Sequence, residues 1–142
     1  MPYIIDGNNL MGCFPGITPE DPGARSTVLD VVQKFQEKRK NNVTIVFDGE
    51  PHGGVRLHEI TQKFTVIYPK DGCSADDEIM EQLEGLTYFK DVIVVTSDRA
   101  LKKVARKKGA KTVNSIEFYF ELKRYSAIHG HQDQKRKRIE SE

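Results

Sequence analysis

Three apolar runs in this chain end on a carboxylate. Tyr3-Ile4-Ile5 stops at Asp6, Val43-Thr44-Ile45-Val46-Phe47 at Asp48, and Val92-Ile93-Val94-Val95-Thr96-Ser97 at Asp98. Each run is short and rich in β-branched residues, the pattern of a buried strand. Phe64 to Tyr68, stopped by Pro69, reads as a further strand, and Lys111 to Val113 as a brief one. Val55 to Ile60 reads as a short strand or an extended arm. Between these runs the apolar period changes to three and four. Val28, Leu29, Val32 and Phe35 predict a helix from Ala24 to Lys40. Ile79, Met80 and Leu83 predict one over Ala75 to Glu84 with Ser74 as its N-cap. Arg99 to Lys108 follows, with Gly109 as its stop, and Ser115 caps a last helix carrying Ile116, Phe118, Tyr119, Leu122 and Tyr125. Residues 7 to 24, with their Gly and Pro, read as a long loop.

Strands alternating with helices predict an α/β fold with a mainly parallel sheet. An order of 3-2-1-4-5, counting 3–5, 43–47, 64–68, 92–97 and 111–113, makes the first and fourth strands neighbours where the winding reverses. Asp6 and Asp98 then face each other across the crevice in which open α/β sheets bind ligands.

With 142 residues the chain reads as one domain over 1–126 and a polar, basic and flexible tail over 127–142. The 22 basic and 21 acidic residues nearly cancel, so only their distribution informs. Acids gather at the strand ends and in Asp76-Asp77-Glu78. Bases gather in Lys38-Arg39-Lys40, Lys102-Lys103, Arg106-Lys107-Lys108 and Lys135-Arg136-Lys137-Arg138. An acidic pocket inside a basic rim suits a cation held against a polyanion. Two distant cysteines, Cys13 and Cys73, argue for a reducing compartment and against a disulfide framework or a zinc site. No apolar run approaches the roughly 18 residues of a membrane span. The early strand at Tyr3 leaves no room for a signal peptide, so the cytoplasm is expected.

Each acid has an ordinary structural reading beside the functional one. Asp6, Asn8 and Asn9 suit a turn, Asp77 completes a capping box with Ser74, Ser97 or Asp98 can cap the following helix, and Asp48-Gly49 can be a turn. Asp76 fits such a reading poorly. It precedes Ile79, Met80 and Leu83 by three, four and seven residues, so it shares their core-facing side, where an unpaired carboxylate is costly. At an effective dielectric near 20, two carboxylates about 4 Å apart repel by roughly 4 kcal/mol. Asp6, Asp76 and Asp98 brought together must therefore share protons or bind a cation. Oxygen donors without His or Cys favour Mg²⁺ or Mn²⁺. Arg25, at the start of the first long helix, can reach in. The histidines lie beside no serine or cysteine in a nucleophile setting, and no phosphate loop or dinucleotide fingerprint occurs.

Asp6-Gly7-Asn8-Asn9, Ala24-Arg25, Val46-Phe47-Asp48-Gly49, Ser74-Ala75-Asp76-Asp77-Glu78-Ile79, Val95-Thr96-Ser97-Asp98 and Lys108-Gly109-Ala110 together resemble the NYN domains of the PIN-like superfamily. The nearest likeness is to the YacP-like group, which contains a ribosome-associated endoribonuclease. The resemblance covers about residues 3 to 125. It implies a three-layer α/β/α nuclease fold with a carboxylate pocket for Mg²⁺ or Mn²⁺. It also implies that Asp6, Asn9, Asp76, Asp77 and Asp98 are the site residues, with Arg25 in the family's Ala-Arg pair. Asn8 departs from the aromatic or bulky residue many members carry there.

The leading expectation is therefore a metal-dependent endoribonuclease acting on RNA, including mRNA on the ribosome. Asp6, Asp76 and Asp98 hold the ion, Asn9, Asp77 and Ser97 place ligands and water, and Asp48 ranks below them. Lys102, Lys103, Arg106 and Lys107 are the expected contacts to the RNA backbone. A non-catalytic RNA- or ribosome-binding module and a small-molecule phosphohydrolase are the alternatives.

Overall fold

The computed structural model describes residues 2–49, 54–86 and 91–125. The basic tail, His52, His129 and His131 lie outside the described residues. In chain order the elements are β1 (Tyr3–Asp6), α1 (Gly7–Met11), α2 (Ala24–Arg39), β2 (Val43–Val46), β3 (Leu57–Thr61), β4 (Phe64–Ile67), α3 (Ala75–Glu84), β5 (Ile93–Val95), α4 (Arg99–Lys107), β6 (Lys111–Val113) and α5 (115–125). The sheet runs β3-β4-β2-β1-β5-β6. Five strands are parallel in the expected order, and β3 adds itself antiparallel to β4 at one edge. The arm over 55–60 is thus a strand, and the expected order is one strand short.

Alternation along the strands sorts the core into two layers. Tyr3, Ile5, Ile45 and Val95 face α1, α2 and α5, where Phe35 and Phe118 stack edge-on with ring centroids 5.1 Å apart. Ile4, Val46, Ile67 and Val94 face α3 and α4 and pack on Ile79, Leu83, Leu101 and Ala105. The result is a three-layer α/β/α arrangement. Asp6 has the parity of Ile4, so the chain's first carboxylate points into the layer that holds α3 and α4.

Two local expectations are corrected. Residues 7 to 24 do not form a loop throughout, because α1 starts directly off β1: Asp6 caps it by accepting from the Asn9 N–H, and Leu10 and Met11 are buried. A single turn made of Gly and Asn has too little propensity to be read from sequence. Ser115 does not cap α5; it is the first helical residue and fully buried, and the Asn114 carbonyl accepts from the Phe118 N–H. Gly109, with φ +96°, does end the α4 segment as expected. No helix among the described residues is long and apolar enough to cross a membrane.

The junction of β1 and α1 tolerates no side chain at Gly7. A Cβ there would lie 2.6 Å from Phe47 Cδ1 and 2.9 Å from the Val46 carbonyl, whereas one at Gly12 would meet nothing nearer than 3.5 Å. Gly7→Ala should therefore destabilise by about 1–3 kcal/mol and Gly12→Ala should be close to neutral, both measured by urea denaturation.

Candidate functional site

Four aspartates meet at the carboxyl edge of the parallel strands. Asp6, 6 % exposed, closes β1, and its two oxygens are both engaged: Oδ1 accepts from the Asn9 N–H at 3.4 Å and Oδ2 from the Thr96 hydroxyl at 3.0 Å. Asp98 follows β5 and caps α4, its Oδ1 accepting from the Leu101 N–H at 2.9 Å. Asp76 lies in the first turn of α3, half-buried beside the buried Ala75 and Ile79. Asp48, just beyond β2, is exposed, yet its Oδ1 accepts from the Ala75 N–H at 2.7 Å and so ties β2 to the start of α3.

The electrostatics show that these groups sense one another. Burial pushes the Asp6 carboxyl above its ordinary value, against the pull of its Thr96 and Asn9 bonds, and Asp48 and Asp98 push it further. Asp76 is raised to about 6, first by burial and then by the charges of Asp6, Asp98 and Asp48, with its hydrogen bond to Asp98 acting the same way. Asp6, Asp76 and Asp98 are thus brought together, and Asp48 joins them.

Neutral side chains fix the spacing of the strand ends. Asn9 Oδ1 accepts from the Ser97 N–H at 2.8 Å and from the Ser115 hydroxyl, joining β1 to β5 and α5. Asn8 Oδ1 accepts from the Asp48 N–H at 2.7 Å, joining β1 to β2. Ser97 Oγ in turn accepts from the Ser115 N–H at 3.2 Å. Arg25 does reach the edge: its Nη2 donates to the Asp48 carbonyl at 2.8 Å, and its guanidinium lies over the Tyr68 and Phe47 rings, 5.1 and 5.8 Å from their centroids. Gly49, at φ +92°, makes room for it, since a Cβ would lie 2.9 Å from Nη2.

Not every expected residue is brought to the cluster. Asp77 is exposed and spent on the α3 cap, its Oδ2 accepting from the Ser74 N–H while its own N–H donates to Ser74 Oγ. Lys103, Arg106 and Lys107 are exposed and Lys102 is half-buried on α4, the helix that Asp98 caps. Arg106 Nε donates to Thr112 Oγ1 at 2.8 Å. Two residues were not foreseen. Thr96, wholly buried, donates to Asp6 and accepts from the Asp98 N–H at 3.1 Å, so one hydroxyl joins two of the acids. Ser115 supports Asn9 from α5. The signals for Thr96 were its place between an apolar strand and the closing acid and its presence in the Val95-Thr96-Ser97-Asp98 motif.

The donor set fits a hard divalent ion in kind: carboxylate oxygens whose repulsion a positive charge would relieve. It is not a closed cage. Among the described residues no three His, Cys, Asp or Glu are grouped closely enough to hold a metal ion. An ion gripped by one or two carboxylates and completed by water, the usual habit of Mg²⁺, asks for no such group.

Comparisons with known proteins agree with this architecture. The family model for the YacP-like NYN domain matches residues 3–142. The uncharacterized protein YacP of Bacillus subtilis (strain 168) is 26 % identical over 100 residues, 67 % of this chain and 59 % of that protein. The chain thus spans under two thirds of the curated relative it matches. The crystal structure of Rae1 (YacP) from Bacillus subtilis superposes with a TM-score of 0.76 at 20 % identity, covering 99 % of this chain and 84 % of that one. A point mutant of the same protein gives 0.74 at 23 %, with the same coverage. At such identities the likeness is one of fold.

The raised Asp76 carboxyl has a sign that can be checked. Its folded-state pKa lies above 3.8, so the stability tied to its proton is complete below about pH 4 and is lost as pH rises through 6. In chelator, Asp76→Asn should be more stable than the parent by about 1 kcal/mol at pH 8, a figure discounted for solvent screening. The gain should vanish near pH 4, measured by thermal denaturation across pH.

Proposed function

Because the chain belongs to the YacP-like NYN domain family, we propose that it is a metal-dependent endoribonuclease whose active site is the cluster of Asp6, Asp76 and Asp98. The family implies a nuclease-type, RNA-related function. The observation that carries the finer reading is the crowding of carboxylates at the carboxyl edge of the sheet, where burial first, and after it repulsion by Asp6, Asp98 and Asp48, raises Asp76 to about 6. A protein with no use for that crowding has little reason to keep it on the buried face of α3.

Asp6, Asp76 and Asp98 would hold Mg²⁺ or Mn²⁺, directly or through water. Bound there, the ion would supply Lewis acidity toward a phosphate and would lower the pKa of a nearby water. The protein's own part is positioning. Thr96 fixes the rotamer of Asp6 and the backbone of Asp98, Asn9 holds the β5 end and Ser97, and Asp48 with Arg25 sets the start of α3 and hence Asp76. Water attack on phosphorus breaks the bond to the 3′-oxygen, leaving 5′-phosphate and 3′-hydroxyl ends. Lys102, Lys103, Arg106 and Lys107 lie on the helix that begins at Asp98, and in this reading they would neutralise phosphates of the RNA backbone. The substrate class is RNA, and the ribosome is a candidate partner through the family.

A second reading, an RNA-binding module without catalysis, draws on one observation. Asp6, Asp48 and Asp98 each cap a helix or bond its first turn, work that would keep them in place without any chemistry.

Asp6→Asn keeps the oxygen that caps α1 and removes the charge. It should cut cleavage of RNA in Mn²⁺ by at least about 100-fold, the scale of losing a charged transition-state contact, while the circular dichroism spectrum and the salt-dependent RNA affinity persist. Chelator should silence the parent and Mn²⁺ restore it. Cleavage by Asp6→Asn at the parent's rate would refute the assignment, and a parent that binds RNA without cutting it would establish the second reading.

A further inference from the structure

α5 starts at the candidate site and then carries an uncovered apolar ridge away from it. Ser115, its first residue, is bonded to Asn9 and Ser97. Phe118, Tyr119 and Leu122 turn inward, Phe118 onto Tyr3 and Phe35, and Tyr119 onto Phe14. Ile116 and Phe120, one turn apart, are left outside at 43 % and 56 % exposure. Every other phenylalanine or tyrosine among the described residues is buried or half-buried. Lys123 and Arg124 are exposed one turn beyond Phe120, with Glu117 on the same side.

We propose that Phe120, backed by Ile116, is a stacking platform for a nucleobase of the RNA strand that enters the candidate site, an inference that rests on the nuclease reading above. Phe120 lies five positions beyond Ser115, a rise of about 7.5 Å along the helix axis, or roughly two base steps of a nucleic-acid strand. A flat ring beside two cations is the combination that single strands require: a face for a base and charges for its phosphates. A single aromatic side chain buries on the order of 150–250 Å², enough for one base and well short of the about 800 Å² per partner that a stable protein interface needs from its whole surface.

The test is the affinity of the full chain for a labelled short single-stranded RNA in chelator, where nothing is cut. Phe120→Ala should weaken binding about tenfold. Phe120→Tyr should retain the parent's affinity, and Phe120→Leu, which keeps apolar bulk without a π face, should behave like Phe120→Ala. Removing one base from the RNA should reproduce the loss in the parent and add nothing in Phe120→Ala. Parent-like affinity in Phe120→Ala or Phe120→Leu would overturn the proposal, as would a Phe120→Ala variant that sediments differently while binding RNA unchanged. A parent that binds RNA through Phe120 but cleaves none in Mn²⁺ would refute the nuclease reading and leave the stacking platform standing.

Discussion

A buried carboxylate at the end of the central strand sets the terms for everything around it. Asp6 lies on the same side of β1 as Ile4 and is almost removed from water. A charge there is costly unless donors face it. The chain supplies two, the Thr96 hydroxyl and the Asn9 N–H, and each donor is itself part of a strap to β5. The same parity directs Asp6 toward α3 and α4, so the acids at the starts of those two helices become its neighbours rather than the residues of α2 or α5.

The acids have two kinds of work, and one geometry serves both. A helix N-terminus attracts a carboxylate because its first N–H groups lack partners. Three such ends, those of α1, α3 and α4, converge where the parallel strands stop. Capping therefore concentrates negative charge at the place where an α/β sheet opens to solvent. Asp76 is the exception that gives the cluster its chemical interest: the α3 cap is completed by Ser74 and Asp77 and the Ala75 N–H by Asp48, so Asp76 is crowded by charge without being needed for the cap.

Local sequence patterns carried much of this fold. The runs ending on Asp6, Asp48 and Asp98 marked three neighbouring parallel strands, and the core-facing phase of Asp76 with Ile79 and Leu83 pointed to the cluster. The Ser74–Asp77 capping box was legible for the same reason, since its partners are three residues apart. What stayed hidden was long-range. The hydroxyl of Thr96 meets Asp6 across 90 positions, and Asn9 reaches Ser97 and Ser115 across 88 and 106. Asp48 looked like a turn residue because its bond to Ala75 exists only after β2 and α3 have been packed together. The α1 turn escaped notice because burial of Leu10 and Met11, not helix propensity, holds it.

Asn8 and Asn9, adjacent in the chain, hold opposite neighbours, one the start of the 48–49 turn and the other the exit of β5. Two successive amides thus act as a tie-rod across three strands, fixing the width of the crevice at its floor. On the helical side the Asp48–Ala75 bond fastens the start of α3 to the same edge. The crevice is thus braced at its floor and along one wall.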